Sequence, residues 1–260
     1  MTSKNLLRST MILSVSVMLA ACQTTGSTAK SPNTSAKNTQ EAAIDTALER
    51  AAASSASKGE QGQSLGFLEK LYKRNSADPQ SAINYAAALR EAEYYNQAAL
   101  VLAPFANDKK SPAAAKTEYA AVQLALGNDK QAEKYAQKAV LQDNTDFRAY
   151  HYLGIALDGQ GMHKEAERAF RKALDMWQGD PIPVMNNLAL NLASQEYLDE
   201  AVEILEKAQA IAPDRVEVER NLRIVRTLLQ SARHAPKPGV KPAPPAAAPV
   251  ETVKKTPVKN

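Results

Sequence analysis

Cysteine and aromatic residues are scarce in this chain of 260 residues, and each scarcity excludes a class of protein. A single cysteine cannot form an internal disulfide framework or a cysteine-built metal site. Aromatic residues make up only 5% of the sequence while alanine is abundant, which favours helices packed through small residues over a sheet-rich core. The three histidines include no pair with the HExxH spacing of a zinc enzyme. The sequence therefore predicts no metal site.

Catalytic motifs are missing as well. The glycines of residues 154–161 are spaced somewhat like a phosphate-binding loop, but no Lys-Ser/Thr pair follows them. No Gly-x-Ser-x-Gly nucleophile elbow occurs anywhere in the chain. We therefore predict a protein that is not an enzyme, with no catalytic residue and no bound cofactor.

The net charge of +4 comes from the two ends of the chain. Residues 1–21 contribute two basic residues, and residues 234–260 contribute five lysines against one glutamate. Residues 22–233 hold 25 of the 32 basic residues and 27 of the 28 acidic residues, so this central part is close to neutral. The charge distribution gives no support for a nucleic-acid-binding face.

The first 21 residues have the features of a secretory signal peptide: a basic start, an apolar run and small residues before a cleavage site. The apolar run is shorter than the roughly 20 residues that a membrane-spanning helix needs. Its end, Leu19-Ala20-Ala21-Cys22, resembles the lipobox of bacterial lipoproteins. The resemblance implies that Cys22 is lipidated after cleavage, and Gln23 in place of aspartate implies anchoring on the periplasmic face of the outer membrane. The alternative is a soluble export signal with an incidental cysteine.

Two segments are predicted to be disordered. Residues 22–44 form the expected lipidated tether, because residues 23–40 carry no large apolar side chain that could offset the entropy of ordering. Residues 234–260 are rich in proline, alanine and lysine and are predicted to form a disordered or polyproline-like tail. The lysines of this tail could contact anionic envelope polymers, or the tail could be a solvated spacer.

Between these segments the sequence repeats itself, with successive steps of 34, 34 and 35 residues. Within each unit, apolar residues three and four apart predict a helix, a polar break follows, and a second amphipathic stretch comes next. Because neither helix of such a pair can bury its apolar face alone, neighbouring pairs must stack into a solenoid. The clearest columns of the repeat are Tyr85, Tyr119, Leu153 and Leu188; Ala86, Ala120, Gly154 and Ala189; and Ala98, Ala132, Ala166 and Ala201.

This pattern resembles the tetratricopeptide repeat. The unit from Tyr150 to Leu174 is similar to the consensus in its aromatic, small and apolar positions, and Pro213 matches the closing proline of the family. The departures are Glu93 and Glu196, which replace the loop glycine. The alternative fold is an ordinary antiparallel helical bundle.

The resemblance implies an all-α fold, a tetratricopeptide-repeat solenoid over residues 45–233 with disordered termini. We expect four clear repeats over residues 79–215 and a degenerate N-terminal repeat over residues 45–78. A C-terminal capping helix is expected over residues 216–233, where apolar residues recur at helical spacing.

In tetratricopeptide arrays the first helix of each unit lines a concave groove that suits an extended or helical peptide. By this resemblance, Asn84 and Asn187 are candidates for bonds to a ligand backbone. Arg90 and Arg148 are candidates for pairing with a carboxylate. The predicted groove residues are Asn84, Arg90, Arg148, His151, Asp158, Asn186 and Asn187, with the small and apolar residues Ala87, Ala121, Leu124, Ile155 and Leu190 between them.

Nearly the whole mature chain resembles the lipoproteins of tight-adherence (Flp-type) pilus assembly, the TadD type. The lipobox, the long polar linker, the few repeats and the phrases at 186–193, 198–201 and 215–222 carry this resemblance. It implies a scaffold that helps an outer-membrane secretin to assemble or localise, so the expected partner is a secretin or another pilus-assembly subunit. The alternatives are an adaptor for peptidoglycan enzymes or for outer-membrane-protein assembly.

Overall fold

The structure is a computed structural model that describes residues 32–234, and in this part of the chain it contains eleven α-helices and no strand. The predicted signal peptide, Cys22 and residues 235–260 lie outside the described residues. The helices are α1 (Pro32–Ser57), α2 (Gln61–Arg74), α3 (Pro79–Glu91), α4 (Tyr95–Asn107), α5 (Ala113–Ala125), α6 (Asp129–Gln142), α7 (Phe147–Asp158), α8 (His163–Met176), α9 (Ile182–Ser194), α10 (Leu198–Ile211) and α11 (Val216–His234).

These helices form the predicted tetratricopeptide-repeat solenoid. The pairs α3–α4, α5–α6, α7–α8 and α9–α10 are the four clear repeats, α1–α2 holds the degenerate repeat and α11 is the capping helix. Asp78 and Asp146 begin α3 and α7 as N-caps, because their carboxylates accept hydrogen bonds from backbone N–H groups of the first turn. The fold class is therefore confirmed, and the helical-bundle alternative is wrong.

The turn between the two helices of each pair needs a residue with positive φ. Gly59, Gly127 and Gly161 take φ values of 74° to 77° at this point of their repeats. Glu93 and Glu196 occupy the same point with φ values of 64° and 67°. The two departures from the loop glycine therefore keep the backbone of the repeat, at the steric cost that a Cβ atom carries in this region.

Small side chains let the two helices of a repeat cross closely. The alanine column of the second helices, Ala98, Ala132, Ala166 and Ala201, is completely buried. In the repeat α7–α8 this column pairs with a glycine, and a Cβ atom added to Gly154 would lie 2.5 Å from two ring carbons of Phe170. The residues in the columns that define the repeat thus make the contacts that hold each helix pair together.

The N-terminal helix begins earlier than the sequence predicts. Residues 32–44, which the sequence places in the flexible tether, belong to α1. They contain alanine, glutamine and glutamate, which are good helix formers, and they continue directly into the first helix of the degenerate repeat. Residues 22–31 of the predicted tether lie outside the described residues.

The capping helix α11 packs through Val218, Leu222 and Val225, which are buried against the preceding repeat. Val216 and Leu228, which belong to the apolar pattern in the sequence, are 67% and 48% exposed. The apolar pattern is thus wider than the buried face, since α11 contacts helices on one side only within residues 32–234.

Candidate functional site

The first helices of the repeats form one continuous surface. In the described part of the chain, α3 packs on α5, α5 on α7, α7 on α9 and α9 on α11, while no comparable contact joins successive second helices. Helices on the inside of a curved stack lie closer together than those on the outside. The first helices therefore line the concave surface, as the resemblance implies.

A polar row runs along this surface at the sixth residue of α3, α5, α7, α9 and α11. These residues are spaced 34, 34, 35 and 34 positions apart, so they fall in register with the repeat. Each is buried or half-buried. The row consists of Asn84, Glu118, Tyr152, Asn187 and Asn221.

Glu118 holds the predicted ligand-binding residue Arg90. The Nε atom of Arg90 donates to Oε1 of Glu118 at 2.6 Å, which joins α3 to α5. Burial raises the pKa of the Glu118 carboxyl, although the Arg90 guanidinium acts in the opposite direction. The exposed Arg148 forms no salt bridge with any described residue. Of the two predicted arginines, Arg148 is therefore the one whose charge is open to a ligand.

His151 and Asn187 are brought together by the fold. Their Nε2 and Nδ2 atoms lie 2.9 Å apart between α7 and α9. Burial lowers the pKa of His151 to about 4, so the ring is neutral near pH 7 and we assign Nε2 as the acceptor of the Asn187 N–H. The imidazole packs edge-on against Trp177 with centroids 5.2 Å apart. His151 is thus a buried part of the groove floor.

Asp158 and Asn186 also bond to neighbouring helices. Oδ1 of Asp158 accepts from Nδ2 of the buried Asn191 at 2.6 Å and lies 2.7 Å from Nδ1 of His163. Oδ1 of Asn186 accepts from Nδ2 of Asn221 at 2.7 Å, which ties α9 to α11. The hydrogen bonds with Asn191 and Asn221 therefore link α7 to α9 and α9 to α11.

The seven predicted groove residues therefore divide into three groups. Arg148 is exposed to solvent, and Asn84 lines a cavity. The side-chain oxygen of Asn84 also accepts a hydrogen bond from Gln80. His151 and Asn187 bond to each other. The remaining three, Arg90, Asp158 and Asn186, form hydrogen bonds with residues outside the predicted set.

The missed residues are Glu118, Asn191 and Asn221. Two of them, Glu118 and Asn221, could have been found, because they occupy the same column of the 34-residue repeat as the predicted Asn84 and Asn187. Asn191 carries no such signal, since its role depends on the stagger between α7 and α9.

An apolar row runs beside the polar one, at the ninth residue of α3, α5, α7, α9 and α11. The side chains of this row are small at the N-terminal end of the surface and larger at the C-terminal end. Ile224 is 49% exposed, and Leu228, one turn further along α11, is 48% exposed. Such a strip can bury the apolar side chains of a bound peptide. The row consists of Ala87, Ala121, Ile155, Leu190 and Ile224.

Metal-binding clusters and membrane-spanning helices are both absent from residues 32–234. No group of three or more His, Cys, Asp or Glu side chains there is arranged to hold a metal ion. None of the helices in this part is both long and apolar enough to cross a membrane.

Comparison with protein families supports the assignment of the repeats. Residues 147–176 and 182–215 match the tetratricopeptide repeat family model. These segments are α7–α8 and α9–α10 with the turn that follows. The chain therefore contains tetratricopeptide repeats, a fold that typically serves as a non-catalytic scaffold for protein–protein interaction. A search of curated proteins finds no match to the sequence.

Several solved structures share the fold at low sequence identity. A TPR protein of Thermus thermophilus superposes with a TM-score of 0.61 at 18% identity, covering 70% of this chain and 99% of its own. MamA from Desulfovibrio magneticus RS-1, residues 41 to the end, gives 0.52 at 20% identity, covering 66% and 97%. The APC/C hetero-tetramer Cut9–Hcn1 gives 0.65 at 14% identity, covering 72% of this chain and 37% of that one. These likenesses establish the fold alone.

Proposed function

We propose that this protein is a scaffold anchored by a lipid on Cys22 to the periplasmic face of the outer membrane, where its concave surface binds a segment of a partner protein. The observation that carries the binding role is the apolar row, which ends in the half-exposed Ile224 with the half-exposed Leu228 beside it. Large apolar side chains at a surface mark a contact site when they form a continuous strip. The lipobox at residues 19–22 supports the anchor.

The partner that we propose is a secretin or another subunit of an Flp-type pilus or related secretion apparatus. The resemblance to pilus-assembly lipoproteins supports this choice. An extended or helical segment of the partner would lay its apolar residues on Ile155, Leu190 and Ile224. An acidic group of the partner would pair with Arg148, whose guanidinium is exposed and has no salt bridge to a described residue.

The groove can be tested by affinity purification from detergent-solubilised membranes. Leu190→Asp and Ile224→Asp place a carboxylate in the apolar strip and should each reduce the recovered partner at least about tenfold, since a buried unpaired charge costs several kcal/mol. Leu141→Asp is the matched control, because Leu141 is 86% exposed on the second helix α6, outside the concave surface. Equal recovery of the partner from all three variants would contradict the proposal that the concave surface binds it.

The identity of the recovered protein tests the partner. Recovery of a secretin supports the pilus role. Recovery of penicillin-binding proteins or amidases, or of the outer-membrane insertion machinery, would replace it by one of the alternative envelope roles. A neighbouring cluster of pilus genes is an independent observation that would favour the first result.

The anchor needs a separate experiment. Cys22→Ser should abolish incorporation of labelled palmitate and release the protein from outer-membrane fractions, because the acyl chains supply the attachment. Palmitate incorporation that persists in this variant would contradict lipidation at Cys22. The purified variant should still capture the partner, since the groove lies far from this residue in sequence.

A further inference from the structure

The second helices α6 and α8 carry a basic face on the convex side of the solenoid, opposite the first helices. Three positions of each helix, four residues apart, hold lysine or arginine, and residues at this spacing share one side of a helix. None of the lysines among them forms an ion pair within residues 32–234, and Arg168 pairs only with Glu165. The basic face consists of Lys130, Lys134 and Lys138 on α6 and Lys164, Arg168 and Lys172 on α8.

The same positions are not basic in the other two clear repeats. On α10 they are acidic except for one lysine, and on α4 they are uncharged. Outward positions need only keep the repeat soluble, and charges of mixed sign serve that purpose. Basic side chains on two successive second helices therefore point to an anionic partner. The positions are Asp199, Glu203 and Lys207 on α10 and Asn96, Leu100 and Pro104 on α4.

A buried tyrosine positions two of the lysines on α6. The Nζ atoms of Lys138 and Lys134 lie 4.6 Å and 5.6 Å from the ring centroid of Tyr135. Tyr135 is only 6% exposed, and its hydroxyl donates to Oδ1 of Asn107 on α4 at 2.7 Å. Attraction between an ammonium group and a fixed ring favours one side of the helix for both charges.

The loop between α4 and α5 adds two exposed lysines near the C-terminal end of α6. The loop is joined to that end, because Nε2 of Gln142 donates to the backbone oxygen of Ser111 at 2.9 Å. The acidic residue of the loop, Asp108, accepts from the backbone N–H of Lys110 and from the Ser111 hydroxyl. Its carboxylate is thus engaged within the loop, while the side chains of Lys109 and Lys110 form no ion pair with a described residue.

Two exposed leucines indicate which anionic partner fits this side of the molecule. Leu141 lies one turn beyond Lys138 and is 86% exposed, and Leu100, in the repeat position of Lys134, is 77% exposed. Leucine can enter the boundary between headgroups and acyl chains while the stems of neighbouring lysines reach the phosphates. A bilayer accepts such protruding side chains at any spacing, whereas a folded acidic protein needs a complementary surface for each. These leucines therefore favour a lipid surface.

We propose that the basic face, together with Lys109, Lys110, Leu100 and Leu141, binds the surface of an anionic lipid bilayer. The lysines contact the phosphate groups, and the two leucines enter the interface. Contact through the convex side turns the concave surface away from the bilayer, which leaves the groove open to a partner. This contact goes beyond the proposed function, since it requires neither a lipid on Cys22 nor a bound partner.

The contact can be tested by sedimentation of the full mature chain carrying Cys22→Ser with vesicles of phosphatidylglycerol and phosphatidylcholine in equal parts. We expect binding that is lost on vesicles of phosphatidylcholine alone and at high salt, because exposed charges are screened. Lys134→Gln/Lys138→Gln should weaken binding to the mixed vesicles at least about tenfold, since each lysine near an anionic surface contributes about a fivefold factor. Leu141→Ser should weaken it roughly fivefold through the lost apolar contact.

The matched control is Arg220→Gln/Arg223→Gln, which removes two exposed cations of α11 that have no ion pair in the described part of the chain. It should leave vesicle binding unchanged. No binding to the mixed vesicles, or equal loss in the two double variants, would overturn the proposal. Unchanged binding of Leu141→Ser, or tighter binding to soluble polyglutamate than to vesicles, would overturn it in favour of an acidic protein.

This measurement contains neither a lipid anchor nor a partner, so its failure leaves both parts of the proposed function standing. Palmitate incorporation and partner capture in detergent do not depend on contact with a bilayer. Leu141→Asp therefore remains a valid control for the groove in detergent, and the proposals fail separately.

Discussion

The two ends of the solenoid are packed differently. Helices α7 to α11 share one continuous core, which includes Phe170, Met185 and Leu188. Helices α3 to α6 are held by two smaller clusters, of which one is centred on Leu89 and Leu102 and the other is mostly alanine. In a linear array each repeat is stabilised by its own core and its neighbours. The C-terminal repeats should therefore be the more stable end, and the N-terminal repeats the end that opens first.

The same difference is seen on the concave surface. The ninth residues of the first helices are Ala87 and Ala121 at the N-terminal end and Ile155, Leu190 and Ile224 at the C-terminal end. Small residues leave a cavity of about 340 Å³ open between α1, α2 and α3, whereas large residues fill the C-terminal end and expose apolar area. One backbone pattern thus supports two surfaces, an open one lined mainly by small residues and one that presents large apolar side chains.

The largest effect that we expect comes from protonation of His151 in the C-terminal core. Its pKa is lowered by burial from an ordinary 6.5 to about 4. The unfolded chain therefore binds a proton below pH 6.5 that the folded chain does not bind until about pH 4, so stability present above pH 6.5 is lost as the pH falls. The loss should reach about 3 kcal/mol.

Urea unfolding at pH 7 and pH 4, followed by the fluorescence of Trp177, checks this prediction, because that indole contacts His151. His151→Gln should lose about 3 kcal/mol less than the wild type over this range. His234→Gln, at an exposed position on α11, should behave like the wild type. If His151→Gln kept the full pH dependence, the C-terminal core would not be the pH-sensitive region.

A smaller effect is expected at the crossing of α7 and α8. Gly154→Ala brings a Cβ atom against the Phe170 ring and should cost about 1–3 kcal/mol of unfolding free energy. In the N-terminal half the equivalent pair is Ala86 with Leu102, both buried. Phe170→Leu should therefore lessen the effect of Gly154→Ala.

A double-mutant cycle measured by chemical denaturation tests this coupling. We expect the doubly substituted protein to be at least about 0.5 kcal/mol more stable than the sum of the two single effects indicates. Strict additivity would show that the effects of the substitutions at Gly154 and Phe170 on stability are independent.

The smallest effect concerns the two glutamates with positive φ, one in each half. Glu93→Gly and Glu196→Gly should each stabilise the protein by roughly 1 kcal/mol, because glycine adopts this conformation without the Cβ clash. The gain at Glu196 should appear in the unfolding reported by Trp177. The gain at Glu93 should appear as slower hydrogen exchange in α3 and α4. Gly127→Glu, at φ 74°, is the reverse control and should destabilise.

Much of the fold could be predicted because its signals are local. The 34-residue columns located both helices of every clear repeat, and Glu93 and Glu196 were recognised as standing in the loop-glycine position. The start of α1 was not predicted, since residues 32–44 form a helix without the apolar periodicity that marks one in a sequence.

The candidate site was predicted only in part. Repeat register placed Arg90, His151 and Asn187 on the first helices, but it did not show that Glu118 binds Arg90 or that His151 is buried against Trp177. Those contacts join residues on different helices, and the stagger between the helices decides which side chains meet.

The sequence by itself determined the period, the helix pairs, the turns and the face on which each groove residue lies, because hydrogen bonds within a helix join residues four positions apart and apolar spacing follows the same pitch. Only the tertiary structure decided that His151 and Glu118 are buried, that Arg148 stays open and that a cavity remains between α1 and α3. Burial and cavities depend on how closely neighbouring repeats cross, and that distance is set by pairs of side chains far apart in the chain.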